Sequence, residues 1–242
     1  MSTAARLDGA ALESGGRFRL HPTDLTIRAG AVTAVVGRNG SGKSSLLALL
    51  AGELACTSGR VLIADVDIAT MRHDERARRR ALLTQDTIVS FGFSVEEVVS
   101  WGRGPWRRTP AAADDTRIIE TALATQGLTE MRDRPVTSLS GGERKRVHLA
   151  RVLAQQSPLL LLDEADSDLD VVGRTVLDDV VLDHARAGNT AVVVSHDLTR
   201  LSRICDDAIV LSEGRVLAHG PRADVLTPEV LQQAFGVPVS LP

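Results

Sequence analysis

Residues 37–44 read GRNGSGKS, a spacing of the form G-x-x-x-x-G-K-[ST]. Glycines at 37, 40 and 42 let consecutive backbone N–H groups of Gly37, Arg38, Asn39, Gly40, Ser41 and Gly42 turn inward and form an anion nest. Lys43 would then reach the β- and γ-phosphates of a nucleotide, and the Ser44 hydroxyl, with Ser45 beside it, would face a magnesium ion. The second chemically dense stretch is LLLLDEADSDLD at 159–170. Four leucines lead into five acids, Asp163, Glu164, Asp166, Asp168 and Asp170, which repel one another unless a cation sits among them or their tasks differ. Asp163, at the end of an apolar strand, suits the Mg²⁺ shell. Glu164 suits a carboxylate that orients and deprotonates an attacking water. A calcium loop built on Asp166, Asp168 and Asp170 would need Gly at 171 and Glu at 177; Val171 and Leu177 stand there instead.

Strand-like runs that could position these residues recur at AVTAVV (31–36), RVLIA (60–64), ALL (81–83), LLLL (159–162), AVVVS (191–195) and AIVL (208–211). Several are short, unalternating and β-branched, as strands buried on both faces of a mainly parallel sheet are. Helical patterns such as SSLLALLAG and VVGRTVLDDVVLDHARAG fall between them, so the fold class is α/β. From about 90 to 157 the pattern becomes helical: VEEVVSWG, DDTRIIETALATQGL and GERKRVHLARVLAQQ, separated by GRGPWRRTP and RPVTSLSGG. The tail 223–237 reads as two short helices broken at Pro228.

A hydrophobic fraction of 43% and a charged fraction of 24% describe an ordinary globular chain, and a net charge of −3 gives no footprint for nucleic acid. Tyrosine is absent, so the core must be aliphatic. Cys56 and Cys205 have no metal-ligand spacing and read as reduced thiols. MSTAARLDGAAL lacks a signal peptide's basic start and apolar core, and no run approaches the ~20 apolar residues of a membrane span.

LSGGE at 139–143, about twenty residues before LLLLDE, makes the pattern specific. The chain resembles the ATP-binding subunits of ABC transporters over nearly its whole length. The resemblance implies a P-loop NTPase core with a mainly parallel sheet, formed by 1–89 and 158–242, and a helical subdomain at 90–157, together one domain of 1–242. It implies ATP and Mg²⁺ as ligands and a head-to-tail homodimer in which Ser140, Gly141 and Gly142 of one copy clamp the nucleotide of the other. Gln85 corresponds to the glutamine that touches Mg²⁺ and senses the transporter partner, and His196 to the histidine at the γ-phosphate. Catalysis therefore falls to Glu164, His196 and Gln85, and metal binding to Ser44, Gln85 and Asp163. FGFSVEEVVSWGRGPW at 91–106 resembles importers of haem, iron-siderophores and cobalamin. The implied partners are a second copy, transmembrane permease subunits and, indirectly, a substrate-binding protein, at the cytoplasmic face of the membrane. The alternative is a soluble ABC ATPase of DNA repair or translation.

Four places depart from that family or stand outside its motifs. The aromatic residue that usually stacks on adenine falls near Ser14, leaving Phe18 or Arg17 as substitutes. EADSDLD replaces the usual EPTSALD, and the extra Asp166 and Asp168 are expected to oppose dimer closure by charge repulsion. Arg72, Arg76, Arg78, Arg79 and Arg80 read as a solvated helix face, while Trp101 and Trp106 read as subdomain core or as a surface for the membrane subunit.

Overall fold

The computed structural model describes residues 2–85 and 91–238. Two long strands, β1 (Thr3–Ser14) and β2 (Arg17–Arg28), open the chain as an antiparallel hairpin. β3 (Val32–Val36) leads to α1 (Lys43–Ala51), followed by β4 (Ser58–Ile63), β5 (Val66–Asp67), α2 (His73–Arg79) and β6 (Arg80–Leu83). Next come α3 (Val95–Ser100), α4 (Asp115–Thr125) and α5 (Gly141–Ala154). The remainder is β7 (Leu159–Asp163), α6 (Val171–Arg186), β8 (Thr190–Val194), α7 (Leu198–Ile204), β9 (Asp207–Ser212), β10 (Arg215–Pro221), α8 (Arg222–Val225) and α9 (Pro228–Phe235).

The strands form two sheets, ordered β2-β1-β4-β5 and β10-β9-β3-β8-β7-β6. In the larger sheet all neighbours run parallel except β10 with β9. The unalternating sequence of its strands has a direct cause. Val35, Leu161, Val192 and Val194 pack with α1 and the hairpin, while Ala34, Val36, Leu160, Leu162 and Val193 pack with α5, α6 and α7. Both faces are dry, so the strands are apolar at nearly every central position, with buried Thr33 an exception.

RVLIA does not join that sheet. It lies in β4, antiparallel to β1 in the smaller one. The hairpin β1–β2 escaped the sequence reading because TAARLDGAALES and RFRLHPTDLTIR mix polar and apolar residues, and register shifts between Leu7 and Leu12 break the alternation. The tail does form two short helices, with Pro228 as the first residue of α9, a position that needs no N–H donor.

Helices α3, α4 and α5 share a core of their own, with Val95, Val98, Ile118, Leu123, Val147 and Ala150. The expected start of this subdomain, at 89/90, lies outside the described residues. GRGPW at 102–106 fastens it. A side chain at Gly102 would lie 2.1 Å from the Arg151 carbonyl oxygen. Buried Arg103 (2% exposed) pairs with Asp115 at 2.7 Å and donates to the Ala154 carbonyl oxygen, with Trp106 stacked beside it. Trp106 Nε1 also donates to the Gln155 carbonyl oxygen at 2.7 Å.

The arginine cluster is not a uniformly solvated face. Arg72 is exposed, but Arg76 and Arg80 donate to the carbonyl oxygens of Gly52 and Ala51 at the C-terminal end of α1, and Arg78 reaches the Pro105 carbonyl oxygen. The negative end of the α1 dipole and its unpaired carbonyls draw them in.

On α5, His148 is buried without a hydrogen-bond partner on either ring nitrogen among the described residues. Burial, with Arg151, Lys145 and Arg144 nearby, pushes its pKa down to about 4. Below the ordinary value of 6.5 the unfolded chain takes up a proton that the folded chain refuses until about pH 4. Stability is therefore full above that window and falls as pH drops through it, by on the order of 2–3 kcal/mol. Urea midpoints at pH 7.5 and 5 should diverge in the natural chain and draw closer together in His148→Leu. An unchanged gap would assign the acid sensitivity to other groups.

Candidate nucleotide site

Parallel strands deliver their loops to one edge. In sheet order, β3 ends at the glycine loop, β8 at Ser195 and His196, β7 at Asp163 and Glu164, and β6 just before Gln85. Residues separated by more than 150 positions, Lys43 and His196, thus flank one short stretch of sheet edge.

The loop 37–42 has the backbone its sequence requires. Gly37, Gly40 and Gly42 have φ of 153°, 77° and 106°. A Cβ on Gly37 would lie 2.2 Å from the Leu211 carbonyl oxygen, and one on Gly42 would lie 2.8 Å from that of Arg19. Buried Lys43 donates through Nζ to the Gly37 and Arg38 carbonyl oxygens, at 3.0 and 3.1 Å. Arg38, Asn39 and Gly40 face solvent, Ser41 is buried, Ser44 is exposed and Ser45 half-buried.

Asp163 faces the Ser44 hydroxyl, and its Oδ1 is buried without a hydrogen-bond partner among the described residues. Burial pushes the Asp163 carboxyl up, against the opposing Ser44 hydrogen bond. Burial likewise pushes Lys43 down, against the pull of Glu164 and Asp163. A hydroxyl and an orphaned carboxylate oxygen side by side are the hard donors a magnesium ion takes from protein when phosphate supplies the others.

Glu164 has φ of 50°, a left-handed backbone that a non-glycine residue adopts at a cost. Its N–H donates to the Val194 carbonyl oxygen at 3.0 Å, which ties β7's end to β8's. His196 Nε2 lies 2.7 Å from Glu164 Oε1, donating its proton there, and the imidazole is half exposed. An acceptor carboxylate and an imidazole in contact beside the glycine loop can take a proton from water and hold charge near a terminal phosphate.

Gln85 is held differently. It sits two residues past β6, exposed, and its backbone carbonyl oxygen accepts from Lys145 Nζ of α5 at 3.1 Å. The same ammonium donates to Ser167 Oγ at 3.2 Å.

Ser140, Gly141 and Gly142 open α5, with Ser140 and Glu143 in a reciprocal capping box. Ser140 and Gly142 border a cavity of about 640 Å³ together with Asp168 and Asp170, and Gly142 abuts the Asp168 backbone. No residue of 37–45 borders that cavity.

The acidic run divides its labour otherwise than its charge count suggests. Asp170 accepts from the Gly173 N–H and caps α6. Asp168 is exposed, with φ of 65°. Asp166 carries no free charge toward a partner: Arg200 neutralises it at 2.9 Å, and Ser195 Oγ donates to it at 2.5 Å. The expected repulsion at Asp166 is therefore corrected. Arg200 lies 34 residues downstream and carries no motif, so sequence reasoning had no signal for it.

Ser14 is the last residue of β1, at the hairpin tip. Phe18 is 42% exposed and its ring lies 4.6 Å from that of His21. Between them, the Arg19 carbonyl oxygen backs Gly42, and the His21 N–H donates to the Gly214 carbonyl oxygen while Gly214 donates to that of Ser41. The hairpin thus braces the glycine loop and brings an aromatic pair beside it. His21 was not foreseen.

A phosphate-binding loop, an acidic strand end and an edge histidine on this sheet define a nucleotide-hydrolysing cassette. The sequence profile of the ABC transporter family matches residues 20–167. The chain is 42% identical to the hemin import ATP-binding protein HmuV of Rhodococcus jostii (strain RHA1), over 98% of this chain and 81% of that one. It is 41% identical to the cobalamin import ATP-binding protein BtuD of Halobacterium salinarum (strain ATCC 29341 / DSM 671 / R1), over 96% of this chain and 59% of that one. A solved ABC transporter structure, inward-facing and assigned to the metal-chelate type, superimposes with a TM-score of 0.82 at 26% identity, covering 98% of this chain and 90% of its own. The chain belongs to the ABC transporter family. Within it, this is an importer subunit that binds and hydrolyses ATP.

The brace behind the loop can be tested. Gly42→Ala adds a left-handed strain and a backbone clash, whereas Gly40→Ala adds strain alone, with nothing within 4 Å. Gly42→Ala should lower the thermal midpoint by the equivalent of about 1–3 kcal/mol and weaken nucleotide binding, with Gly40→Ala milder on both measures. Equal effects would remove the Arg19 contact as a constraint.

Proposed function

We propose that this chain hydrolyses ATP with Mg²⁺ in a head-to-tail homodimer and drives a permease importing a metal chelate: haem, a ferric siderophore or a corrinoid. The Glu164–His196 contact at the sheet edge carries the reading. Backbone N–H groups of Gly37 to Gly42 and the α1 N-terminus cradle the phosphates, and Lys43 exchanges its carbonyl partners for phosphate oxygens. Ser44, Asp163 and Gln85 would hold Mg²⁺, whose charge offsets that of the phosphates when it is bound. Glu164 accepts the proton of the attacking water as oxygen bonds to the γ-phosphorus and ADP leaves. His196, released from Glu164, turns to the γ-phosphate. Ser140, Gly141 and Gly142 act on the nucleotide of the second copy; the separation of their cavity from the glycine loop supports this.

Phe91, Phe93 and Trp101 support a site for the permease. They are 73%, 38% and 39% exposed and meet edge to face, with ring centroids 6.2 and 5.0 Å apart. An aromatic patch of this kind on a surface marks a contact face, and it supports a subunit that docks peripherally on the permease. Trp106 is half-buried and tied to the Gln155 carbonyl oxygen and Arg103, apart from this patch. The chelate cargo rests on the relatives named for hemin and cobalamin.

Glu164→Gln keeps the shape and removes the base. ATP should still bind, turnover should fall by at least about a hundredfold, and an ATP-dependent dimer should accumulate on size exclusion. Near-normal hydrolysis would displace Glu164 from its role. Phe91→Ser with Trp101→Ser should leave ATP affinity unchanged and reduce co-purification of the permease severalfold. Undiminished capture would place the docking face elsewhere.

A further inference from the structure

The turn after Glu164 and the turn that bears His196 are locked together by side chains outside the usual motifs. Ser167 folds the first turn back, its N–H and Oγ both donating to the Glu164 carbonyl oxygen at 3.1 and 2.8 Å. Asp166, at the crest, points across to the end of β8. Its Oδ2 accepts from Ser195 Oγ at 2.5 Å and from Arg200 Nη1 at 2.9 Å. Ser195 Oγ in turn accepts from the Asp197 N–H at 3.0 Å, and Asp197 Oδ1 accepts from the Arg200 N–H at 2.9 Å, capping α7. Both neighbours of His196 are thereby fixed: Ser195 through Asp166, and Asp197 through Ser195 Oγ and the backbone N–H of Arg200. Arg200 is 8% exposed, and Asp178 of α6 holds its other side through Nε at 2.6 Å.

A buried ion pair of this kind adds little net stability over a well-packed apolar pair, because desolvation offsets its attraction. What it supplies is geometry: two strand ends held in one relative position. We propose that Asp166 and Arg200 are positioning residues for hydrolysis, setting the His196 backbone against Glu164 so that the imidazole reaches both the carboxylate and the terminal phosphate. Neither touches nucleotide. The Asp178 contact keeps the guanidinium aimed inward from behind. This inference rests on the roles given above to Glu164 and His196.

The test is a mutant cycle on the full chain, reading kcat, KM and the Kd of a non-hydrolysable ATP analogue. Asp166→Ala should lower kcat by about tenfold or more, as misplacement of a reacting group does, with the analogue's Kd within twofold of the natural chain. Asp166→Asn, which can still accept both bonds, should restore most of that loss. In a His196→Ala background, Asp166→Ala should lower kcat no further, because the residue it positions is gone. Where Asp166→Ala does not fold, Ser195→Ala cuts the same link from the other side and should show the same dependence on His196. An equal loss of kcat with and without His196, or a weaker Kd at unchanged kcat, would overturn the inference and leave His196's role intact. An unaltered kcat in His196→Ala alone would remove that role and this inference with it.

Discussion

Everything at the site depends on β8 lying between β3 and β7 with both faces dry. Its five residues, TAVVV, are all buried, and parallel pairing on either side fixes where its neighbours end. A slip of one residue would turn every side chain to the opposite face. The register is therefore set by two cores at once, and the distance from glycine loop to Asp163 is a property of packing rather than of the loops. Loops built on so rigid an edge can be short, charged and strained without drifting.

The strain and charge are concentrated there. Glu164 adopts a left-handed backbone, Asp163 is pushed toward its neutral form by burial, and Lys43 is pushed the same way from the other side. Each of these would destabilise an ordinary surface turn. Together they oppose one another: Lys43 lies in the field of Glu164 and Asp163, and its ammonium is satisfied by two carbonyl oxygens until phosphate competes for it. The site is preorganised for anions by backbone N–H groups that no side chain could replace.

Much of this was legible in the sequence. GRNGSGKS between a strand and a helix, LLLLDE, and HD after AVVVS all fall where local pattern and chemistry agree. The parallel core was readable because its strands carry unalternating apolar runs. The N-terminal hairpin was not, since its strands alternate irregularly around register shifts and one face of them is wet. Nor was the assignment of charge. Five acids in eight positions look like one repulsive cluster, but Asp170 is a helix cap and Asp166 is paired with Arg200, a partner that only the tertiary fold brings near. The arginines at 76 and 80 were misjudged for the same reason: their acceptors are helix-end carbonyls that no sequence spacing reveals.

Lys145 sits one turn into the helix opened by Ser140 and is nearly fully buried, with one ammonium shared between the Gln85 carbonyl oxygen and the Ser167 hydroxyl. Three segments from different parts of the chain therefore hang on a single charge. A tilt of α5 relative to the sheet must stretch bonds to the loop of Gln85 and to the turn behind Glu164 simultaneously. By thermodynamic reciprocity, a change at those loops shifts the preferred tilt of α5 by the same free energy. The ammonium thus ties the start of α5, the Gln85 loop and the turn behind Glu164 to one point.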